Sequence, residues 1–277
     1  MIDLHCHSTY SDGTFSPSKL LEYAEKRGVE VLALTDHDTV DGLHDFFSHV
    51  TSVERVAGTE LSIDYDSGTF HVVGLFLDYK EKRLNETLDF LKNARRTRNE
   101  KIVAAVSGLL GRKVTLEDVS DGNEGELGRP HIAKYLIKCK VVSTMQEAFD
   151  KYLAKGQPLY VDKARLGFDE AAEIIHGAGG IAVLAHPASL RLSDEELVPF
   201  LGDLKERGLD AIEVFCSEIK PDRWPFYHGI AEKLGLGVSG GSDFHGDNKL
   251  KIALGTGPDT LNTPYSVYQA LKELTQR

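Results

Sequence analysis

Residues 3–13 read DLHCHSTYSDG, and His5 and His7 stand either side of Cys6 on what the neighbouring apolar residues mark as a short strand. Side chains alternate along a strand, so both imidazoles face one side and the thiol faces the other. An isolated HxH says little, because two polar residues on a half-exposed strand give the same pattern. Its weight comes from metal-ligand residue types recurring at the ends of later apolar runs. Asp12 follows the first run, Asp36-His37-Asp38 the second, and Glu60 closes the third; His71 lies in the fourth, His186 closes the fifth, and Asp243 and His245 follow the last. Imidazole nitrogens and carboxylate oxygens together suit Mn, Fe or Zn, and the lack of cysteine in this set argues against a structural thiolate zinc site. Nine candidates, His5, His7, Asp12, His37, Glu60, His71, His186, Asp243 and His245, exceed the needs of one ion. With a bridging carboxylate such as Glu60 they would serve two or three divalent ions. Such clustered cations polarise phosphoryl oxygens and generate hydroxide near neutral pH, which is the chemistry of phosphoester hydrolysis.

Residues this far apart in sequence meet only if the elements between them bring their ends to one place. Residues 2–7 predict a strand, and Ser16-Pro17 opens a helix that Gly28 closes. Residues 29–35 predict a second strand, 41–50 a helix, and 55–61 and 69–77 two further strands. From 79 to 164 the pattern is helical and charged, which marks an inserted helical subdomain between a first barrel part, 1–78, and a second, 165–277. Alternation then resumes with helices at 169–177, 194–208, 225–234 and from 263, and strands at 181–186, 211–215 and 236–240. Seven strands alternating with helices predict an α/β fold, a distorted parallel β/α barrel of TIM type, whose strands all open at their C-terminal ends onto one face. An open doubly wound sheet is the alternative, disfavoured because no GxGxxG or GxxxxGK[ST] loop follows any strand.

The composition is that of a soluble globular chain: 277 residues, 41% hydrophobic, 27% charged. A net charge of −11 argues against broad binding to nucleic acid or anionic membrane. Cys6, Cys139 and Cys216 are odd in number and lack CxxC spacing, as expected of a reduced cytoplasmic protein. No signal-peptide pattern opens the sequence and no apolar stretch is long enough to span a bilayer, so a cytoplasmic location and no membrane partner are expected.

The segments DLHCHSTYSDG at 3–13, TDHDT at 35–39, AHP at 185–187 and GSDFH at 241–245 resemble the four motifs of the PHP (polymerase and histidinol phosphatase) family. The resemblance implies a distorted seven-stranded barrel with a trinuclear metal site. The remainder, including GRPHIAKYL at 128–136 and EAFDKYL at 147–153, resembles stand-alone members with a helical insertion, which act as nucleoside 3',5'-bisphosphate phosphatases or trim RNA 5' ends. Carried over by motif, His5, His7, Glu60 and Asp243 hold a first ion, Glu60, His71 and His186 a second, and Asp12, His37 and His245 a third. The implied mechanism is in-line attack on phosphorus by a metal-bridging hydroxide, without a protein nucleophile. The implied substrate is a small nucleotide phosphoester, most simply the 3'-phosphate of a bisphosphonucleotide, with short RNA and histidinol phosphate as alternatives.

Many members have an arginine soon after the His-Pro motif, whereas here the order is His186-Pro187-Ala188-Ser189-Leu190-Arg191. A second phosphate therefore needs another donor; Arg129 is the first candidate, because a guanidinium fork matches phosphate bidentately, and His131 lies beside it. Arg95, Arg96, Arg98 and Lys101 form a basic run that is either a lip for a polyanion or a solvated helix face. Asp36 and Asp38 are either ligand-orienting or turn-forming, and the direction of Glu213 and Cys216 on the sixth strand stays open. His44, His49, His176 and His228 read as surface or packing residues. Two competing classes are an amidohydrolase, which usually adds histidines on the fifth and sixth strands where this chain offers Glu213 on the sixth, and a PHP module that binds metal only for stability.

Overall fold

The computed structural model describes residues 1–120, 127–162, 164–256 and 262–276, so part of the expected insertion, 121–126 and 163, lies outside the described residues. Two compact units emerge, Met1–Leu88 with Arg165–Arg277, and Asp89–Ala164.

In the first unit, β1 (Ile2–Asp3), β2 (Val31–Leu34), β3 (Glu54–Ser62), β4 (His71–Leu75), β5 (Ile181–Leu184), β6 (Ala211–Cys216) and β7 (Gly237–Gly241) pair in chain order in a seven-stranded sheet. The sheet curls back on itself: Leu4 N–H donates to Gly240 O at 3.1 Å, Asp243 N–H to His5 O at 2.8 Å and His7 N–H to Phe244 O at 2.9 Å. Gly241 makes this approach possible, since a Cβ there would lie 2.4 Å from His5 N. The interior is filled by alternate strand residues such as Ile2, Leu4, Val31, Ala33, Val73, Leu75, Val183 and Ala211. Burying these branched side chains removes apolar area from water at about 25 cal/mol per Å² and leaves the strand ends free for chemistry.

The expected barrel is present, with one departure from a fully parallel sheet. β4 runs antiparallel to both β3 and β5. Residues 63–70 alone join β3 to β4, and a parallel pair needs a crossover of about a dozen residues or more. The reversal has a direct consequence for His71. It is the first residue of β4 and pairs with Ser62 at the end of β3, so it stands at the C-terminal mouth of the parallel strands.

The helices follow their local signals. In α1 (Pro17–Arg27) the Ser16 hydroxyl accepts the Lys19 N–H, proline opens the first turn, and Gly28 closes the helix at φ 71°. The short α2 (Leu43–Ser48) follows β2, and α3 (Lys82–Leu110) carries the chain into the second unit. There α4 (Leu116–Ser120), α5 (Arg129–Lys138) and α6 (Met145–Ala148) share a core of Ile102, Val106, Ile132, Leu136, Leu153 and Leu159. Back in the first unit, α7 (Phe168–Gly177), α8 (Asp194–Glu206) and α9 (Trp224–Leu234) alternate with β5, β6 and β7 before α10 (Tyr265–Leu274). Among the described residues no helix is long and apolar enough to cross a membrane.

Candidate metal centre

Each candidate ligand is delivered by the closing stretch of a strand or the segment just after one, except His71, which opens β4. His5 and His7 extend β1, with Cys6 turned away so that its thiol donates to Ala33 O at 3.2 Å. Gly13 N–H and Ser11 N–H both close onto Ser8 O at 2.9 and 3.1 Å, and the resulting turn presents Asp12. Residues 36–38 continue β2 alongside β3: Glu60 N–H donates to Asp36 O at 3.1 Å and Asp38 N–H to Glu60 O at 2.9 Å, which sets His37 beside Glu60. His186 and Asp243 occupy left-handed backbone, φ 28° and 54°. Non-glycine residues held this way cost on the order of 1–3 kcal/mol each and cluster where function requires them.

All nine candidates meet at this mouth, with His5, His7 and Glu60 fully buried. Glu60 is the hub: Oε1 receives the His71 Nδ1–H at 2.8 Å and stands 3.0 Å from His186 Nε2, while Oε2 lies 2.8 Å from His37 Nδ1, 3.2 Å from His7 Nε2 and 3.4 Å from His5 Nε2. Asp243 Oδ1 lies 3.3 Å from His7 Nε2, 3.6 Å from His5 Nε2 and 3.4 Å from His245 Nδ1. Asp12 Oδ1 is 3.2 Å from His245 Nε2, and its Oδ2 is 3.8 Å from His37 Nε2. Among the described residues three sets have ligand atoms within 4.8 Å of one another: His7, Asp12, His37 and His245; His5, His7 and Glu60; His37, Glu60 and His71.

Part of this proximity is hydrogen bonding, as at Glu60 Oε1, and part is not. Asp12 Oδ1, His37 Nδ1 and Glu60 Oε2 are buried and among the described residues none has a hydrogen-bond partner, although His37 Nδ1 and Glu60 Oε2 stand only 2.8 Å apart. Buried polar atoms are almost always satisfied by hydrogen bonds. Donor atoms gathered within 4.8 Å of one another and left without hydrogen bonds fit a bound cation, and the N/O donor set fits a divalent one.

The outer partners fix the imidazoles for that task. The His5 Nδ1–H donates to Glu213 Oε1 at 2.8 Å, which leaves Nε2 facing the cluster, and Glu213 Oε2 accepts the His186 N–H at 2.6 Å. His7 Nδ1 lies 3.4 Å from Ser11 Oγ, whose hydroxyl donates to Asp36 Oδ1 at 2.6 Å; Asp36 also accepts the Ser8 N–H and hydroxyl. Asp36 thus orients a candidate ligand through Ser11, whereas Asp38 accepts the Ser62 N–H at 3.0 Å and ties β2 to the end of β3. Carboxylate-held imidazoles of this kind are the usual support of metal-binding histidine.

The charges are coupled. Burial alone raises the Glu60 carboxyl, but His71, His37 and His5 more than offset it and hold it well below the usual range. Burial likewise opposes the Asp243 carboxylate, which His5, His7, His245 and Lys249 hold well below its ordinary value. Burial depresses His71 to about 4 against the pull of Glu60, while at His186 burial is outweighed by Glu60, Asp243 and Glu213 together, which lift the imidazole to about 9.

Two participants escaped the sequence reading. Alternation alone does not decide the direction of Glu213, and a register shift between Glu213 and Phe215 in β6 is the reason: the bulge interrupts the two-residue period. Lys249, which forms an ion pair with Asp243 Oδ2, carries no motif signal at all. The other histidines lie elsewhere: His44 is exposed, His228 neighbours Glu232, and His176 pairs with Asp210. In the second unit, Arg129 donates to Leu153 O at 3.3 Å with its guanidinium 5.6 Å from the centre of the Tyr160 ring. His131 Nδ1 accepts the Gly128 N–H at 3.0 Å at the start of α5. The basic run divides: Arg98 is buried against Asn99 Oδ1 at 2.7 Å, so it is no part of an exposed lip, and Arg96 pairs with Glu100 one helical turn on.

A β/α barrel whose mouth gathers six imidazoles and three carboxylates defines a metal-dependent hydrolase. Comparison with known proteins agrees. The PHP domain matches residues 3–186. The chain is 34% identical to a 5'-3' exoribonuclease of Haemophilus influenzae over 88% of its own length and 89% of that protein's. It is 32% identical to a 3',5'-nucleoside bisphosphate phosphatase of Chromobacterium violaceum, over 88% of this chain and 87% of the other. A solved structure from Bifidobacterium adolescentis, described as a metal-dependent phosphoesterase, superposes with a TM-score of 0.80 at 29% identity, over 98% of this chain and 95% of that one. The chain belongs to the PHP family, and it is a hydrolase of phosphoric esters.

Proposed function

We propose that the protein removes the 3'-phosphate from nucleoside 3',5'-bisphosphates, using manganese in a two- or three-ion centre. His5, His7, Glu60 and Asp243 would hold one ion, Glu60, His71 and His186 a second, and Asp12, His37 and His245 a third. When bound, such ions polarise phosphoryl oxygens and make water a competent nucleophile near neutral pH. The chain's own contribution is orientation. Glu213 keeps His5 Nε2 turned inward, the Asp36–Ser11 pair does the same for His7, and Glu60 supplies an oxygen to each of two clusters. Arg129 is assigned to the phosphate that does not react, with His131 beside it, because a guanidinium presents two parallel donors to phosphate.

The observation that carries the reading is the set of buried atoms without hydrogen-bond partners among the described residues, Asp12 Oδ1, His37 Nδ1 and Glu60 Oε2, which belong to residues of the three clusters of candidate ligands. The choice of substrate leans on the Chromobacterium violaceum relative. A second reading, 5'-to-3' trimming of short RNA, is favoured by the similarity to the Haemophilus influenzae exoribonuclease. The deciding experiment is phosphate release by the manganese-reconstituted protein from adenosine 3',5'-bisphosphate, against 5'-AMP, histidinol phosphate and a short 5'-phosphorylated RNA. Rapid release that leaves 5'-AMP is the expected result. Nucleotide release from RNA without bisphosphate turnover would shift the assignment to exoribonuclease, and inactivity on all four would overturn it.

A further inference from the structure

Lys249 ends a tight turn, Gly246–Lys249, that directly follows His245. The turn is fastened to the segment carrying Asp12: the Asp247 N–H donates to Thr14 Oγ1 at 2.8 Å and the Asn248 side-chain amide to Asp12 O at 2.7 Å. Packing there leaves no slack, since a Cβ on Gly246 would lie 2.1 Å from Thr14 Oγ1. The turn thereby delivers the Lys249 ammonium to Asp243 Oδ2 while Oδ1 of the same carboxylate faces His5, His7 and His245. About a third of the lysine side chain stays exposed (34%), so the group lies between the cluster and solvent.

A cation held by Asp243 Oδ1 would stand next to this ammonium, and the two like charges repel. An oxyanion lying against both relieves the repulsion, and the oxyanion this centre handles is a phosphate. We propose that Lys249 contacts the reacting phosphate of the substrate and couples metal loading to phosphate binding. The inference rests on the ligand assignment above. Without phosphate the ammonium competes with the ion for Asp243; with phosphate it turns its charge to a phosphoryl oxygen, and the ion binds unopposed. Because linkage is reciprocal, the ion tightens phosphate by the same factor.

The test is calorimetric titration of Mn(II) into the metal-free protein, with and without inorganic phosphate, for wild type, Lys249→Met and Lys249→Arg, with folding checked by far-UV circular dichroism. Lys249→Met is expected to bind Mn(II) about tenfold more tightly than wild type when phosphate is absent. Phosphate should tighten Mn(II) by about tenfold in wild type and in Lys249→Arg, and by much less in Lys249→Met. The melting temperature of metal-free Lys249→Met should fall, because Asp243 loses its cation. Wild-type Mn(II) affinity and an unchanged phosphate effect in Lys249→Met would overturn the inference and leave Lys249 a neutraliser of Asp243. Failure of the wild type itself to bind Mn(II), Zn(II) or Fe(II) would instead overturn the ligand assignment, and this inference with it.

Discussion

His176 and Asp210 meet where β5 and β6 begin, at the barrel end opposite the ligand cluster, and they use the same chemical groups to a different end. Asp210 Oδ2 accepts both the His176 Nε2–H at 2.7 Å and the Ala182 N–H at 2.8 Å, in a half-exposed setting where water can serve the remaining lone pairs. At the mouth, imidazoles and carboxylates lie just as close, yet among the described residues the buried atoms Asp12 Oδ1, His37 Nδ1 and Glu60 Oε2 go without hydrogen bonds. A His–Asp contact by itself therefore says nothing about catalysis. What separates the regions is whether the polar atoms are satisfied by each other, as in a structural pair, or arranged around something else.

The sharpest way to break this contrast is Asp243→Asn. Asparagine tolerates the left-handed backbone at this position, φ 54°, so the fold should survive while the carboxylate charge is lost. Phosphate release should drop by about 100- to 1,000-fold with an unchanged far-UV spectrum, as for loss of a principal electrostatic contact in the transition state. Full activity would mean that the mouth is as passive as the His176 end. Next in size is Glu213→Gln, which keeps an acceptor near His5 Nδ1 but removes its charge. Mn(II) affinity, read by titration, should weaken by about 10- to 100-fold, and an unaltered affinity would reduce Glu213 to a packing residue. Arg129→Ala should cost about tenfold more on adenosine 3',5'-bisphosphate than on an aryl phosphate. Equal losses on both would take Arg129 away from the second phosphate.

The smallest effect belongs to the satisfied pair. The hydrogen bond from His176 to Asp210 raises its pKa above 6.5 despite the opposing effect of burial. A raised pKa means that the charged form is favoured by folding, so this contribution is complete below about pH 6.5 and fades as pH rises through the folded value. With the side chain 41% exposed and screened by solvent, His176→Ala should lower stability by less than about 1 kcal/mol at about pH 5.5 and by less still above pH 9. Melting curves at the two pH values, together with unchanged phosphatase activity, check it. A loss of activity comparable with that of Asp243→Asn would erase the distinction between the two regions.

Much of this was legible in the residues themselves. The apolar runs and their Gly, Ser and Pro punctuation place the seven strands and the flanking helices to within a few residues, because each boundary is set by local chemistry such as the Ser16 cap and the Gly28 stop. The nine ligand types at strand ends could be picked out because strand ends are where a barrel exposes side chains. Harder to read were the contacts made across the fold. The bulge in β6 hid the direction of Glu213, and Lys249 reaches Asp243 through a turn whose place depends on Thr14 and Asp12, far earlier in the chain. The run at 95–101 divides: Arg96 with Glu100 is the solvated helix face, whereas charge in sequence does not reveal that Arg98 folds inward onto Asn99.

By itself the sequence determined the donor types, their positions beside apolar runs and the β/α order that lets distant ends converge. Tertiary structure decided their directions. The short link at 63–70 forces β4 to run backwards, and this brings His71 to the mouth by the start of its strand when every parallel neighbour reaches it by the end. Closure of β7 onto β1 brings Asp243 beside His5 and His7, whose Nδ1 atoms already face outward to Glu213 and Ser11. Periodicity records only which side of its own strand a residue faces; which lone pairs remain unanswered depends on every strand that closes around it.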